Sequence, residues 1–340
     1  MTDTFSNWLQ QLPKAELHLH IDGSLQAHRM LSLARKNNID LPYTIVEEVN
    51  AAYQFEDLQS FLDLYYLGAS VLRDEQDFYH LMMDYLRKCK EQNIVHTEVM
   101  VEPQTYEPYG VTFTTMMSGF EQAIRDAESQ WGQSTFLILS FLRHLSEEHA
   151  LATLKLAEPY RDKFVAIGLA SAEVGNPPDK FAQLFRRAQD QGYKAVAHAG
   201  EEGPPEYIWH CLDQLKVSRI DHGVRCIEDA QLVARLVEQG TPLTVCPLSN
   251  VKLCVFEKMQ DHTILSLLND GVIVTVNSDD PAYFGGYLDE NFIALHKHLG
   301  MSRAQTVKLI ENSFSASFLD SDRKKAYIEQ LELIASDPLD

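Results

Sequence analysis

The tripeptide His18-Leu19-His20 sets two imidazoles two residues apart. On an extended strand, residues i and i+2 face the same way roughly 6.5 to 7 Å apart, a spacing one cation can bridge. Two ring nitrogens at ~2.0–2.1 Å make half a zinc shell. Alone, the pattern reads equally well as two polar side chains at the rim of a sheet. Further along, His198-Ala199-Gly200-Glu201 offers a third imidazole and a carboxylate, and Asn277-Ser278-Asp279-Asp280-Pro281 offers two more carboxylates. Singly, these too have plainer readings: a lone histidine is commonly a satisfied core residue, and Asp-Asp-Pro commonly a turn. Taken together, His18, His20, His198 and Asp279 would supply three nitrogens and one oxygen, a set suited to zinc with room for water. Zinc lowers the pKa of such a water to about 7. Hydrolysis also needs a proton donor and a base, for which Glu201, His222 and Asp280 are the candidates.

These groups can meet only if the fold brings distant segments to one edge. Short apolar or alternating runs at 16–21, 95–101, 135–142, 164–169, 195–199, 219–221, 243–246 and 272–277 predict eight strands. Amphipathic stretches separate them. Leu58, Phe61, Leu62, Tyr65 and Ala69 build one apolar helical face, and 181–191 and 227–240 read as further helices, the last ending on Gly240. Strands alternating with helices imply parallel pairing, and eight such units close most simply into a (β/α)8 TIM barrel. A doubly wound open sheet competes, but no G-x-G-x-x-G follows an early strand. The stretch 26–92 exceeds one crossover, so extra helices are expected after the first strand, covering the barrel mouth. In such a barrel the reactive groups sit at the C-terminal ends of the strands. The predicted ligands end the first, fifth and eighth strands.

Bulk properties narrow the partners. The chain has 340 residues, 45% of them apolar, with no low-complexity tract, linker or repeat, so one domain over 1–340 is expected. A formal charge of −20, from 49 acidic against 29 basic residues, repels phosphate backbones and anionic lipid. A small neutral ligand suits it, with neither a nucleic-acid polymer nor a membrane as partner; oligomeric state is not legible. The five cysteines are scattered, which argues against a disulfide framework or a cysteine zinc site. Met1 to Leu12 has no secretory pattern and no run of 18 apolar residues occurs, so the expected location is the cytoplasm. From Ala316 onward the acidic tail reads as a solvated terminal helix.

In order, L-P-K-A-E-L-H-L-H, H-A-G-E, D-H-G and S-D-D-P resemble the motifs of the adenosine/adenine deaminase family, a likeness running from Leu12 to about Asn291. It implies one zinc on His18, His20, His198 and Asp279, with iron or manganese as conceivable substitutes. It further implies that Glu201 protonates the ring nitrogen beside the attacked carbon, that His222 orients the hydroxide, and that Asp279 accepts the water proton. Asp280 would hydrogen-bond the purine's five-membered ring, and Asp22 and Gly23 would contact substrate.

The runs F-E-D-L-Q-S-F-L-D-L-Y-Y at Phe55–Tyr66, F-L-R-H-L-S-E-E at Phe141–Glu148, P-L-S-N-V-K-L at Pro247–Leu253 and N-S-D-D-P-A-Y-F-G-G-Y at Asn277–Tyr287 are similar to the free-base adenine deaminases of that family. The implied reaction is adenine and water to hypoxanthine and ammonia, in purine salvage. Phe55, Phe61, Tyr65 and Tyr66 are read as helix packing. Two departures stand out: Ala170 and Ala172 where Asp and Ser are expected, and E-P-Q-T-Y at Glu102–Tyr106 for D-P-Q-x-H. Both are assigned to the substrate's periphery, leaving N6-substituted adenine or adenosine as alternative substrates. A binuclear amidohydrolase would need a lysine ending strand four, and Lys163 precedes that strand. The cytosine-type H-x-E and P-C-x-x-C signature is absent. An inactive purine-binding barrel would be expected to have lost a ligand or the proton donor, and all are present.

Overall fold

The computed structural model describes residues 4–336. Eight strands lie in chain order in one parallel sheet: β1 (Lys14–His20), β2 (Ile94–Val101), β3 (Ser134–Leu142), β4 (Phe164–Ala170), β5 (Lys194–Ala199), β6 (Arg219–His222), β7 (Leu243–Val245) and β8 (Val274–Val276). All seven successive pairings are parallel. The last gap is closed at Asp279, whose N–H donates to His18 O (3.2 Å) and whose carbonyl accepts from His20 N (3.0 Å). Asn277 Oδ1 adds a bond from Leu17 N at 2.8 Å. The sheet is the expected (β/α)8 barrel, and the seam that completes it runs through a predicted ligand.

Strand boundaries differ from the sequence reading at the ends. β8 starts at Val274 rather than Val272, because the Val272 N–H turns back to Leu267 O to finish the preceding helix. The helix expected over 227–240 begins only at Ala230. There the Asp229 carboxylate accepts from Gln231 N (2.9 Å) and Leu232 N (3.2 Å), a cap strong enough to set the start. Gly240 ends that helix with φ +62°, as anticipated.

Four helices occupy the long connection between β1 and β2: Ala27–Asn37, Val46–Ala52, Leu58–Ala69 and Glu75–Glu91. The third spans the barrel mouth. An Asp57–Ser60 capping box starts it, and its Leu58 N–H donates to Glu202 Oε1 (3.2 Å) in the loop after β5. The tail corrects an expectation. Residues 317–320 are not helical, the helix runs Ser321–Ala335, and it is docked: Leu331 is fully buried, Tyr327 stacks on Phe314 at 5.2 Å, and Arg323 donates to Ser134 Oγ. Phe318 packs against the apolar layer Met100, Ile138, Ala166 and Val196. Net charge says nothing about such a seam, which a few apolar positions decide. The chain ends, residues 1–3 and 337–340, lie outside the described residues. No described helix is long and apolar enough to cross a membrane.

Candidate active site

By the two-residue period, His18 and His20 share a face of β1, as do Met100 and Glu102 at the end of β2 and Val196 and His198 on β5. At the C-terminal rim these faces converge. His18 Nε2 and His20 Nε2 each stand 3.1 Å from His198 Nε2, and Asp279 Oδ1 lies 3.3 Å from His18 Nε2 and 3.5 Å from His20 Nε2. Four donors tetrahedrally arranged about a cation with ~2.0–2.1 Å bonds would stand about 3.3 Å apart, the range in which these four separations fall. The other ring nitrogens point outward. His18 Nδ1 reaches Thr244 (Oγ1 3.0 Å, O 3.2 Å), His20 Nδ1 reaches Glu102 Oε1 (2.8 Å), and His198 Nδ1 lies 3.5 Å from Asp221 Oδ2. Acceptors at Nδ1 put the protons there, leaving bare Nε2 lone pairs aimed at one another, an arrangement that repels unless a cation lies between them.

By distance alone two overlapping donor groups form, His18, His198, His222 and Asp279, and His20, Asp279 and Asp280. His222 is nonetheless the poorer ligand. Its Nδ1 is taken by Asn250 Nδ2 at 3.3 Å, and its Nε2 faces Glu201 Oε2 (3.5 Å) and Asp279 Oδ2 (3.8 Å).

Backbone twist supplies what strand alternation cannot. Asp221 and His222 are neighbours, yet both project into the site, because His222 adopts φ +61°. Asp279, at φ +62°, likewise lets Asp280 turn inward beside it. Left-handed backbone costs a non-glycine residue roughly 1–2 kcal/mol, and such strain gathers at functional sites. Glu201 is held differently. The buried Glu173 carboxylate accepts four backbone N–H bonds, from Gly200 (2.7 Å), Glu201 (3.1 Å), Glu202 (2.9 Å) and Gly203 (2.7 Å), and so clamps the loop carrying it.

The rim carboxyls are driven apart in acidity. Burial pushes Glu201 well above the ordinary carboxyl range, and the charges of Asp279 and Glu173 add to the effect. Asp280 rises too, through burial and the adjacent Asp279. Asp279 goes the other way: burial resists its ionisation, but the adjacent imidazole of His18, with His20 beyond it, holds it well below its usual value. Burial also keeps the His222 imidazole neutral. Asp279 is thus pushed towards the ionised form and Glu201 and Asp280 towards the neutral acid, and such divergence separates base from acid.

These groups open onto a half-enclosed pocket beneath the Leu58–Ala69 helix. His20, His198, Glu201, His222, Asp279 and Asp280 line it; His18 lies behind, fully buried. Asp22 and Gly23 do not line it. Asp22, raised by burial to about 7, is bonded by the hydroxyls of Tyr106 and Tyr65 (3.3 Å), and Gly23 abuts Asp280, whose Cα a side chain there would meet at 2.5 Å.

Several residues escaped the sequence reading. Phe61, Tyr65 and Tyr66, read as packing, form the pocket's roof, whereas Phe55 packs behind on Phe61 at 5.4 Å. Helical periodicity marks an apolar face but does not distinguish core from cavity. Tyr66 Oη reaches Ser171 Oγ (3.0 Å), and Ala170 and Ser171 form part of the wall. Glu102, assigned to the substrate's periphery, instead holds His20, so the departure in E-P-Q-T-Y touches the donor cluster itself. Asp221 sat in the D-H-G motif unused, and Glu173, next to the departure at Ala172 in a segment otherwise matching the free-base deaminases, was given no role.

Fold and rim together define a hydrolase-type barrel whose C-terminal rim gathers histidine and carboxylate donors able to hold a metal ion. The Adenosine deaminase family model matches residues 13–334, and the chain belongs to that family. It is 57% identical over 326 residues to an adenine deaminase of Hahella chejuensis, covering 96% of this chain and 98% of that protein. The crystal structure of an adenine deaminase from Arthrobacter aurescens superposes with a TM-score of 0.93 at 47% identity, covering 95% of this chain and 98% of that one. An amidohydrolase from Burkholderia ambifaria, solved with bound zinc, shares the fold at TM-score 0.91 and 23% identity, covering 98% of this chain and 94% of that one.

Proposed function

We propose that this chain hydrolyses adenine to hypoxanthine and ammonia, as one catalytic unit holding one zinc on His18, His20, His198 and Asp279. The observation that carries the reaction class is the meeting, in one pocket, of that donor cluster with a buried Glu201 carboxyl kept protonated. Adenine as substrate is supported by relatives 53–58% identical over more than nine-tenths of the chain, all adenine deaminases. Zinc would supply a water acidified to about pKa 7.

The chain's own groups do the rest. Glu201 delivers its proton to the ring nitrogen beside the amine-bearing carbon, which makes that carbon electrophilic. Asp279, the one ionised carboxylate at the rim, accepts the water proton through Oδ2, and His222 orients the attacking oxygen. Loss of the amine as ammonia then completes the balance of adenine plus water. Asp280, pushed towards the neutral acid by burial, donates a hydrogen bond to the five-membered ring, while Gly23 backs Asp280 by close packing. The Phe61–Tyr66 face stacks over the purine and excludes water. A small neutral base suits the acidic chain, and the cytoplasm suits its cysteines, which are free, with only Cys254 exposed.

Purified protein tests the reading: bound metal is quantified, and hypoxanthine formation is followed from adenine, adenosine and N6-substituted adenines. About one zinc per chain with fastest turnover of adenine is expected. Full zinc occupancy with no aminopurine converted would overturn it.

A further inference from the structure

Asn250 lies on the short helix Pro247–Lys252 after β7, and His262 follows the turn Met259–Asp261. Both are buried, and neither lines the pocket. They form a chain that ends on His222. The backbone N–H of Ile264 donates to His262 Nδ1 (3.1 Å), His262 Nε2 meets Asn250 Oδ1 (3.2 Å), and Asn250 Nδ2 meets His222 Nδ1 (3.3 Å).

Every proton in this chain follows from its first link, because a backbone N–H can only donate. His262 Nδ1 must therefore be bare, and a neutral imidazole with a bare Nδ1 carries its proton on Nε2. Neutrality is secured by burial, which pushes this ring down to about 3. The His262 Nε2–H needs an acceptor, so Asn250 turns its oxygen there and its NH2 towards His222. A flipped Asn250 amide would set two donors against each other. His222 Nδ1 is left to accept.

We infer that Asn250 and His262 are positioning residues that lock His222 in the tautomer protonated on Nε2, the nitrogen 3.5 Å from Glu201 Oε2 and 3.8 Å from Asp279 Oδ2. The far end of the chain agrees independently. An Nε2–H points a donor at the Asp279 carboxyl oxygen, whereas the opposite tautomer would aim a lone pair at it. Given the proposed function, the lock makes His222 a hydrogen-bond donor to the attacking oxygen and bars it from taking the water proton, which leaves that task to Asp279.

The test reads the tautomer directly. Nitrogen NMR of the zinc-loaded, ¹⁵N-histidine protein, with the His222 signals assigned by comparison with His222→Gln, should show Nε2 protonated and Nδ1 bare. Asn250→Asp keeps the shape but can only accept, so the His222 proton should move to Nδ1. With zinc content held and KM within about threefold, kcat should fall at least ~100-fold, since a wrong tautomer in an intact serine-protease triad costs about 10⁴. His262→Gln retains a donor and an acceptor and should keep the wild-type spectrum; His262→Leu frees Asn250 to flip and should give mixed tautomers with reduced kcat. Protonated Nδ1 in the unaltered protein would overturn the inference. So would an unchanged spectrum and kcat in either Asn250→Asp or His262→Leu. Because the tautomer is read without substrate, failure to turn over adenine would sink the proposed function while leaving this result standing.

Discussion

Two clusters of buried charge occupy the barrel, one in its N-terminal half and one at its C-terminal rim, and they are built on opposite rules. In the lower cluster each charge has a partner. Glu98 Oε2 accepts from Arg219 at 2.8 Å, Oε1 accepts from the Phe318 N–H, and His96 Nε2 lies 3.3 Å away. Arg219 also donates to Leu17 O and rests on the Phe318 ring, 4.6 Å from its centroid. Burial works to raise the Glu98 carboxyl, but Arg219 and His96 hold it below its ordinary value. At the rim, by contrast, Glu201 Oε1, Asp280 Oδ1 and Glu102 Oε2 are buried without a hydrogen-bond partner. Glu201 and Asp280 crowd Asp279 instead of having cations of their own. Equal burial therefore has two meanings: satisfied charge locks the barrel closed, and unsatisfied charge is held in readiness for a cation and a ligand.

The contrast breaks most sharply at Glu201. Glu201→Gln should retain zinc and fold normally yet lose kcat by roughly 10²- to 10⁴-fold, measured by hypoxanthine formation beside metal analysis. The unaltered enzyme should show the matching pH limb. Because the Glu201 pKa is raised and the acid form is the active one, kcat should fall as pH climbs through that raised value, and a limb set by its protonation should vanish in the variant.

In the lower cluster the effect should move from rate to stability. Arg219→Met removes the guanidinium from the buried Glu98, leaving it only His96 and the Phe318 N–H, and should cost about 3–5 kcal/mol in denaturant unfolding, while kcat/KM of the folded protein stays near wild type. A large loss of activity without loss of stability would erase the distinction between the two clusters. Between the extremes stands Glu102→Gln, which weakens the hold on His20 Nδ1. Zinc affinity should drop about 10- to 100-fold in chelator competition, with most activity recovered at saturating zinc.

Much of this arrangement was legible in the chain itself. Two-residue spacing made His18 and His20 cofacial, and the alternation of apolar runs with amphipathic stretches set eight strands in order, which placed His198, Glu201 and Asp279 at strand ends. Those are local properties, dictated by backbone period and side-chain polarity. Other features were decided only by tertiary structure. Whether the Leu58–Ala69 face covers core or cavity depends on what lies opposite it. Glu102 and Glu173 act through partners brought near only by barrel closure, His20 and the amides of residues 200–203. Left-handed twists at His222 and Asp279 redirect side chains that strand alternation would have sent outward. Periodicity runs along one segment, whereas pairing, satisfaction of buried charge and the direction of each proton depend on segments far apart in sequence, and these are settled only when the barrel closes.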